Sequence, residues 1–257
     1  MTGIDRGAVI VRLERAGCVA APEEADELIR ASAGDPLALE AMVARRTSGE
    51  PLAWVTGTTR FCGVPLAIVP GVYVPRPNTE PLARRAASLL PASGRAVDLC
   101  TGAGAIAAVL ASARPAARVV ATELDPTAVR CARRNGVEVF QGSLDEPLPP
   151  SLAHGVDVMT AVVPYVPSGA IRLLPRDVQA FEPRVALDGG DDGTDLLIEV
   201  ATRSVRWLRP GGSLLLELGG DQADPLGRLL VELGFETPEM MVDEESDPRA
   251  ICARLAG

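Results

Sequence analysis

The sequence feature that most constrains the fold is the stretch from Val97 to Ile106, which reads VDLCTGAGAI. Apolar residues lead into an acid, small residues and two glycines follow, and an alanine-rich run then begins. This order predicts a strand, a tight loop and a helix. Glycines let the backbone pass close under a ligand, and the free N–H groups that open a helix favour an anionic group. Gly102, Gly104 and Ala107 also fit the dinucleotide pattern G-x-G-x-x-G/A, so this stretch alone is compatible with a hydride-transfer enzyme and with a methyltransferase.

After this loop the chain alternates between predicted strands and predicted helices. The strands are predicted at residues 95–100, 118–123, 137–140, 156–163, 213–218, 235–242 and 250–255. The helices are predicted at residues 105–113, 126–135, 195–207 and 225–233, with an irregular, proline-rich stretch at residues 164–193. This alternation predicts an α/β fold whose parallel sheet is covered by helices on both faces.

A small helical domain, residues 1–48, is predicted ahead of this main body. Apolar residues recur there at helical spacing in residues 4–16, 22–32 and 37–46. These helices are equally compatible with a packing role and with substrate docking.

A β-hairpin linker is predicted at residues 49–75, which are rich in Gly, Pro and Thr. Trp54-Val55-Thr56-Gly57 and residues 61–69 are its predicted extended parts. The main domain then covers residues 76–257, and Asn78 is the predicted N-cap of its first helix.

Composition excludes several classes of protein. A formal net charge of −9 argues against a non-specific nucleic-acid binder, because phosphate contacts require a basic face. The five cysteines are odd in number and form no C-x-x-C pair, so neither a disulfide framework nor a zinc site is predicted. No segment approaches the roughly 20 apolar residues of a membrane span, and the N-terminus lacks the pattern of a signal peptide. These observations predict a cytoplasmic protein without a metal, a membrane contact or a direct nucleic-acid contact.

Two acids at the ends of the first two predicted strands distinguish between the cofactors. Glu123 lies 19 positions after Gly104, close to the roughly 20-residue spacing at which an acid reaches a ribose; the alternative is a solvated loop acid. Asp98 ends the first strand, where an acid requires a cationic or hydrogen-bonding partner. A pyrophosphate would be repelled there, whereas the ammonium group of S-adenosylmethionine would supply the partner. The pair therefore favours S-adenosylmethionine as the cofactor.

The fourth predicted strand ends in Val162-Val163-Pro164-Tyr165, a turn that is predicted to face the cofactor. Ligands of open α/β sheets lie beyond the carboxyl ends of the parallel strands. Tyr165 is one of only two tyrosines in the chain, and its ring is suited to form a wall against the substrate. The alternative is an ordinary proline-rich exit from a strand.

Several segments in this order resemble the release-factor glutamine methyltransferases of the HemK/PrmC family. The matching segments are RTSGEPLAWVTGTTRF at residues 46–61, VPRPNTE at residues 74–80, residues 98–107, FEPRVAL at residues 181–187, GGDDG at residues 189–193, and LLELG at residues 215–219 with Gln222. The resemblance implies the Rossmann-like fold of class I S-adenosylmethionine-dependent methyltransferases, with a mostly parallel seven-stranded sheet. It also implies a helical N-terminal domain and a hairpin linker.

The activity that the resemblance implies is transfer of a methyl group from S-adenosylmethionine to a glutamine side-chain amide in the Gly-Gly-Gln loop of a peptide-chain release factor. In the family, an Asn-Pro-Pro-Tyr motif holds the amide through the Asn side chain and a following backbone carbonyl, with the tyrosine beside it. In this chain the motif reads Val162-Val163-Pro164-Tyr165, and a valine side chain forms no hydrogen bond. A buried amide that lacks one partner costs on the order of 1–3 kcal/mol.

Two further departures lie in the predicted cofactor site. Cys100 stands at the first glycine of the family's D-x-G-x-G-x-G loop, where a small residue in a glycine position is favoured over a reactive thiol. Gly142-Ser143-Leu144 stands where Gly-Asp-Leu is usual in the family, so Ser143 replaces the acid, and Asp145 lies two residues further on. The predicted cofactor-binding residues are Asp98, Cys100, Thr101, Gly102, Ala103, Gly104, Glu123, Leu124, Ser143, Leu144 and Val162. The resemblance adds Arg76, Glu80 and Glu182 as residues that support the substrate.

Three functions are compatible with these residues. The first is a methyltransferase that acts on a protein glutamine amide. The second is a methyltransferase with another acceptor, such as a small molecule, in a more apolar pocket lined by Val162 and Val163. The third is a non-catalytic relative that binds a protein partner through its N-terminal helices.

Overall fold

The computed structural model describes residues 5–257. The helices are α1 (Arg6–Arg15), α2 (Ala21–Ala31), α3 (Pro36–Thr47), α4 (Leu52–Thr56), α5 (Glu80–Leu89), α6 (Ala105–Ala113), α7 (Pro126–Arg134), α8 (Arg176–Phe181), α9 (Asp195–Ser204) and α10 (Ala223–Glu232). The strands are β1 (Thr58–Phe61), β2 (Val64–Ala67), β3 (Arg95–Leu99), β4 (Arg118–Glu123), β5 (Glu138–Gln141), β6 (Val156–Ala161), β7 (Leu208–Glu217), β8 (Glu239–Val242) and β9 (Pro248–Arg254). Within residues 5–257, no helix is long and apolar enough to cross a membrane.

Seven strands form one sheet in the order β5-β4-β3-β6-β7-β9-β8. Neighbouring strands from β5 to β7 are parallel, whereas β9 is antiparallel to both β7 and β8. Helices connect β3 to β4, β4 to β5 and β6 to β7, because a parallel pair requires a long crossover connection. The predicted α/β fold with a mostly parallel seven-stranded sheet is therefore confirmed.

The strand order places a crevice at the centre of the sheet. The chain enters the sheet at β3, proceeds outward through β4 to β5, and then returns to the other side of β3 to form β6. The two directions diverge at the carboxyl ends of β3 and β6, which is where open α/β sheets bind ligands. Buried side chains of these two strands, among them Val97, Leu99 and Met159, belong to the core beneath the crevice.

The N-terminal helices α1, α2 and α3 pack around a separate hydrophobic cluster that includes Leu13, Leu28 and Val43. The start of the first predicted helix at residue 4 lies outside the described residues. The helix α1 begins at Arg6, and the Asp5 side chain caps it by accepting a hydrogen bond from the backbone N–H of Ala8. The predicted helical character of this region is confirmed for the described residues.

The prediction that Trp54-Val55-Thr56-Gly57 is extended is wrong. Pro51 precedes the short helix α4, and Gly57 ends it in the left-handed conformation with a φ of 75°. The Trp54 indole N–H donates to the Val72 carbonyl at 2.9 Å, and the ring packs edge-on against Phe181. Burial of the ring in these contacts outweighs the strand propensity of Trp and Val. The hairpin itself consists of β1 and β2.

Other element boundaries also differ from prediction. Asn78 lies in a 3-10 turn instead of capping a helix, and α5 begins at Glu80. The strand β6 ends at Ala161, because the residues before Pro164 leave the sheet to enter the turn. The strand β7 begins at Leu208, ahead of the predicted start, since a register shift carries its pairing with β6 through the Pro-Gly-Gly segment. The stretch predicted as irregular, residues 164–193, contains α8.

Candidate active site

A cavity of about 410 Å³ lies beyond the carboxyl ends of β3, β4, β5 and β6. This volume falls in the range of roughly 300–1,000 Å³ that is typical of small-molecule sites. One group of lining residues follows β3, β4 and β5 and includes Asp98, Cys100, Thr101, Gly102, Ala103, Glu123, Leu124, Ser143 and Leu144. A second group combines the turn after β6 with the segment before α5 and includes Val162, Val163, Pro164, Tyr165, Tyr73, Arg76 and Thr79. We call these two groups the loop side and the turn side of the cavity.

Asp98 is buried at the end of β3, with 1% of its surface exposed. Its two carboxylate oxygens accept hydrogen bonds from the hydroxyl of Thr101 at 2.5 Å and from the hydroxyl of Thr160 at 2.7 Å. Burial raises the pKa of Asp98 to about 6, although both hydroxyls oppose this increase. A cation in the cavity would further stabilise the charged form of this acid.

The loop between β3 and α6 depends on two glycines with different roles. Gly102 and Gly104 have φ values of 57° and 83°, in the left-handed region that favours glycine. A Cβ at Gly102 would meet no atom within 4 Å, whereas a Cβ at Gly104 would lie 2.7 Å from Val137 Cγ2. Gly102 therefore leaves space at the cavity wall. Gly104 permits close packing of α6 against the segment before β5, and it does not line the cavity.

Cys100 also adopts the left-handed conformation, with a φ of 53°. Burial raises the pKa of its thiol to about 12, so that the thiol is protonated at neutral pH and is a poor nucleophile. This environment favours the interpretation of Cys100 as a small residue in a glycine position over that of a reactive thiol.

Glu123 lies at the end of β4, and two backbone N–H groups hold its carboxylate. Gly102 donates to Oε2 at 2.8 Å, and Asp125 donates to Oε1 at 2.9 Å. These contacts fix the carboxylate at the cavity wall and distinguish it from a freely solvated acid. Asp125 itself caps α7, since its side chain accepts from the N–H groups of Thr127 and Ala128.

The segment after β5 presents Ser143 and Leu144 to the cavity. Asp145, the nearby acid, does not line it. The Asp145 carboxylate accepts from the Arg203 guanidinium at 2.8 Å and from the Trp207 indole N–H at 2.9 Å. These contacts direct Asp145 into the protein, which leaves Ser143 as the polar side chain of this segment at the cavity.

The turn from Val162 to Tyr165 is held from behind by close packing. Gly193 has a φ of 76°, and a Cβ there would lie 2.1 Å from the Tyr165 carbonyl oxygen. The side-chain amide of Gln222 donates to the carbonyls of Tyr165 at 2.9 Å and Asp192 at 3.1 Å. Val163 lines the cavity, and no N–H group of residues 5–257 donates to its carbonyl.

Tyr165 lines the cavity, and its hydroxyl donates to Glu217 Oε1 at 2.8 Å. Glu217 ends β7 with 3% of its surface exposed, and burial raises the pKa of its carboxyl. Sequence reasoning missed Glu217, although it is an acid at the end of a strand like the two acids of the loop side. It also missed Tyr73, which is the second of two tyrosines, and Thr79, which lies in the matching segment at residues 74–80.

Arg76 and Glu182 form an ion pair at the turn side, and the Arg76 guanidinium lies 5.0 Å from the centre of the Tyr73 ring. Arg76 lines the cavity, whereas Glu182 is buried behind it. Glu80 also lies outside the cavity. Its carboxylate accepts from the backbone N–H of Cys62 at 2.8 Å and thereby anchors the hairpin to α5.

Asn135, another residue that sequence reasoning missed, connects the hairpin to the loop after β3. Its side chain accepts from the Ala67 N–H at 2.7 Å and donates to the carbonyls of Ala67 at 2.9 Å and Ala103 at 2.8 Å. The hairpin and the cavity wall are therefore held in a fixed relation.

The residues of the loop side fit S-adenosylmethionine. Asp98 and Glu123 present carboxylates at the ends of adjacent strands, suited to an ammonium group and to ribose hydroxyls. The open space at Gly102 admits a ligand close to the backbone. Ser143 offers a hydroxyl that can accept from an adenine amino group.

Comparisons with known proteins agree with this geometry. A family model described as methyltransferase small domain matches residues 79–141. The chain is 37% identical over 204 residues to the release factor glutamine methyltransferase of Geobacter sulfurreducens, covering 77% of this chain and 71% of that protein. It is 42% identical over 192 residues to the release factor glutamine methyltransferase of Mycolicibacterium smegmatis, covering 71% of this chain and 68% of that protein.

Two further comparisons bear on the acceptor and on the fold. A 4-amino-L-phenylalanine/4-methylamino-L-phenylalanine methyltransferase from Streptomyces pristinaespiralis is 38% identical over 191 residues, covering 70% of this chain and 65% of that protein. A methyltransferase structure from Pyrococcus furiosus superposes with a TM-score of 0.54 at 17% identity, covering 85% of this chain and 98% of that one. The predicted class I methyltransferase fold is confirmed.

Proposed function

Because this chain belongs to the family of release factor glutamine methyltransferases, we propose that it transfers a methyl group from S-adenosylmethionine to the side-chain amide nitrogen of a glutamine in a peptide-chain release factor. The observation that carries this proposal is the single cavity that joins the loop side to the turn side. One space thereby holds the residues suited to the methyl donor beside those suited to its acceptor.

On the loop side, we assign Asp98 to the ammonium group of the methyl donor, Glu123 to its ribose and Ser143 to its adenine. The bound cofactor supplies an electrophilic methyl group on a sulfonium. The reaction forms a carbon–nitrogen bond, breaks the carbon–sulfur bond with its electron pair left on sulfur, and releases one proton from the nitrogen to solvent.

On the turn side, the protein must orient an amide nitrogen, which is a poor nucleophile because its lone pair is delocalised. Orientation supplies most of the rate in such a reaction. The free carbonyl of Val163 accepts one N–H of the amide in this proposal. At the mouth of the cavity, Leu124 and Val185 line the opening with 58% and 63% of their surfaces exposed, which supports a protein surface as the acceptor.

Replacing Glu123 with Gln is expected to weaken binding of S-adenosylmethionine by about ten- to a hundred-fold, because the amide cannot accept from both backbone N–H groups and the ribose. Calorimetric titration measures this change. Glu138→Gln, on the exposed end of β5, is the matched control and is expected to bind as the wild type does. Equal affinities of Glu123→Gln and wild type would remove Glu123 from the cofactor site, whereas a wild type without any binding would favour the non-catalytic alternative.

Replacing Val162 with Asn restores the side-chain amide of the family motif and is expected to raise kcat/KM for a release factor by about ten- to a hundred-fold. The gain reflects one hydrogen bond that the Asn side-chain N–H donates to the carbonyl oxygen of the acceptor amide. Labelled methyl transfer to purified release factor measures it, with Val231→Asn on the exposed face of α10 as the control. If wild type and Val162→Asn are equally inactive, a glutamine amide is not the acceptor.

A small-molecule acceptor is the second candidate function. Two observations favour it: the valine at position 162 makes the turn side more apolar, and one relative is named for methylation of an aromatic amino acid. Incubation of the wild type with 4-amino-L-phenylalanine and, separately, with release factor distinguishes the two candidates. Methyl transfer to the amino acid alone would support the small-molecule function.

A further inference from the structure

The contact between Tyr165 and Glu217 fixes the direction of the hydrogen bond that the tyrosine hydroxyl makes. The Tyr165 hydroxyl donates to Glu217 Oε1 at 2.8 Å, and a carboxylate oxygen accepts in such a contact. The phenolic oxygen keeps its lone pairs, and its remaining hydrogen-bonding capacity is as an acceptor. Glu217 thus fixes which way the Tyr165 hydroxyl points.

Burial makes this arrangement persistent. Glu217 is 3% exposed, and its second oxygen, Oε2, has no hydrogen-bond partner among the described residues. A buried carboxylate with one unpartnered oxygen depends strongly on the donor that it retains. The tyrosine comes from the turn after β6 and the acid from the end of β7, which are adjacent parallel strands.

A primary amide or amine has two N–H groups. Both need a hydrogen-bond acceptor in the cavity, because a buried N–H without an acceptor costs binding free energy. The Val163 carbonyl is one free acceptor at the turn side. The valine at position 162 offers none, and the Arg76 guanidinium only donates. Tyr165 lines the same cavity, and its hydroxyl oxygen can still accept a hydrogen bond.

We propose that Glu217 is a positioning residue that holds the Tyr165 hydroxyl as a donor, so that Tyr165 Oη accepts an N–H of the methyl acceptor in place of the contact that Val162 cannot make. This inference rests on the proposed N-methyl transfer and applies to a glutamine amide or an aromatic amine. It assigns the specificity for nitrogen acceptors to a pair of residues from two strands.

The test is a double-mutant cycle on the full chain with Tyr165→Phe and Glu217→Leu. Each single change is expected to lower kcat/KM for the acceptor by about ten- to a hundred-fold, while the KM for the methyl donor changes less than about twofold. The double variant is expected to be no worse than Tyr165→Phe, because Glu217 acts through Tyr165. Independent, additive losses would contradict the positioning role.

Glu217→Gln tests whether the hydrogen bond to Tyr165 or the negative charge of Glu217 is needed for activity. The Gln side chain keeps an oxygen that accepts from Tyr165, so this variant is expected to recover most of the activity that Glu217→Leu loses. Glu239 is an exposed acid of β8, and Glu239→Leu is the surface control.

Thermal unfolding of each variant, together with calorimetric binding of an acceptor peptide that contains Gly-Gly-Gln, provides readouts besides turnover. Glu217→Leu is expected to unfold no lower than the wild type, because it removes a buried, half-partnered carboxylate.

The outcomes separate this inference from the proposed function. Wild-type turnover of release factor or 4-amino-L-phenylalanine that Tyr165→Phe and Glu217→Leu leave within about twofold would overturn the acceptor contact alone. A wild type that methylates neither acceptor would overturn the proposed function and, with it, the contact.

Discussion

Replacing Gly193 with Ala is expected to abolish methyl transfer and to lower the free energy of unfolding by about 2–5 kcal/mol. Gly193 has a φ of 76°, which disfavours any other residue. An added Cβ would lie 2.1 Å from the Tyr165 carbonyl oxygen and 2.5 Å from Gln222 Nε2. Relief of this overlap requires the backbone of the Val162–Tyr165 turn to move, which displaces the groups that orient the acceptor.

Gly57→Ala is a closely matched control for this change. Gly57 has nearly the same φ, 75°, but a Cβ there meets nothing within 4 Å. This variant is expected to lose only the conformational part, about 1–2 kcal/mol, and to keep its activity. Urea unfolding and labelled methyl transfer, measured on both variants, separate backbone strain from steric overlap. Similar losses in the two proteins would mean that the packing behind Tyr165 does not hold the turn.

Replacing Asp98 with Asn is expected to change stability and cofactor binding in opposite directions. Burial raises the folded-state pKa of Asp98 from 3.8 to about 6. The folded protein therefore binds this proton more tightly than the unfolded chain does, and the associated stability is present below pH 3.8 and lost as the pH rises through about 6. Asn does not titrate, so the stability of Asp98→Asn relative to wild type is expected to be about 3 kcal/mol more favourable at pH 8 than at pH 3.5.

The same variant is expected to bind S-adenosylmethionine at least about tenfold more weakly at pH 8, because the amide lacks the negative charge that the donor's ammonium group requires. Chemical denaturation from pH 3.5 to 8 and calorimetric titration at pH 8 measure the two effects. Thr202→Val on the exposed face of α9 is a control that leaves Asp98 and its two threonine partners intact. A stability difference between Asp98→Asn and wild type that is flat with pH would show that Asp98 keeps an ordinary pKa in the folded protein.

The sequence was sufficient to predict which residues line the loop side of the cavity, because the pattern that identifies most of them is local. A strand of apolar residues, an acid, two glycines and an alanine-rich helix occupy ten consecutive positions, and their order fixes their geometry. Glu123 was found by its spacing, because the helix and strand that follow the loop return the chain to the adjacent position in the sheet.

Local sequence patterns did not predict the structure at positions whose side chains contact residues far along the chain. Trp54 and Val55 have strand propensity, but they lie in the helix α4, and in this helix the Trp54 ring is buried against Phe181. Asp145 lies two residues after Ser143 in the predicted cofactor segment, yet its carboxylate contacts Arg203 and Trp207, which are 58 and 62 positions away. No sequence pattern around Asp145 predicts its contacts with Arg203 and Trp207.

By itself, the sequence determined the class of fold, the place of the cavity at the centre of the sheet, and the residues of its loop side. Those features follow from hydrophobic periodicity and glycine placement, which act over a few residues. Only the tertiary structure decided the contacts that hold the turn side, because Tyr165 meets Glu217, which lies 52 positions further along the chain. The Tyr165 hydroxyl donates to Glu217 only in the folded sheet, because the two residues come together only when β6 and β7 pair.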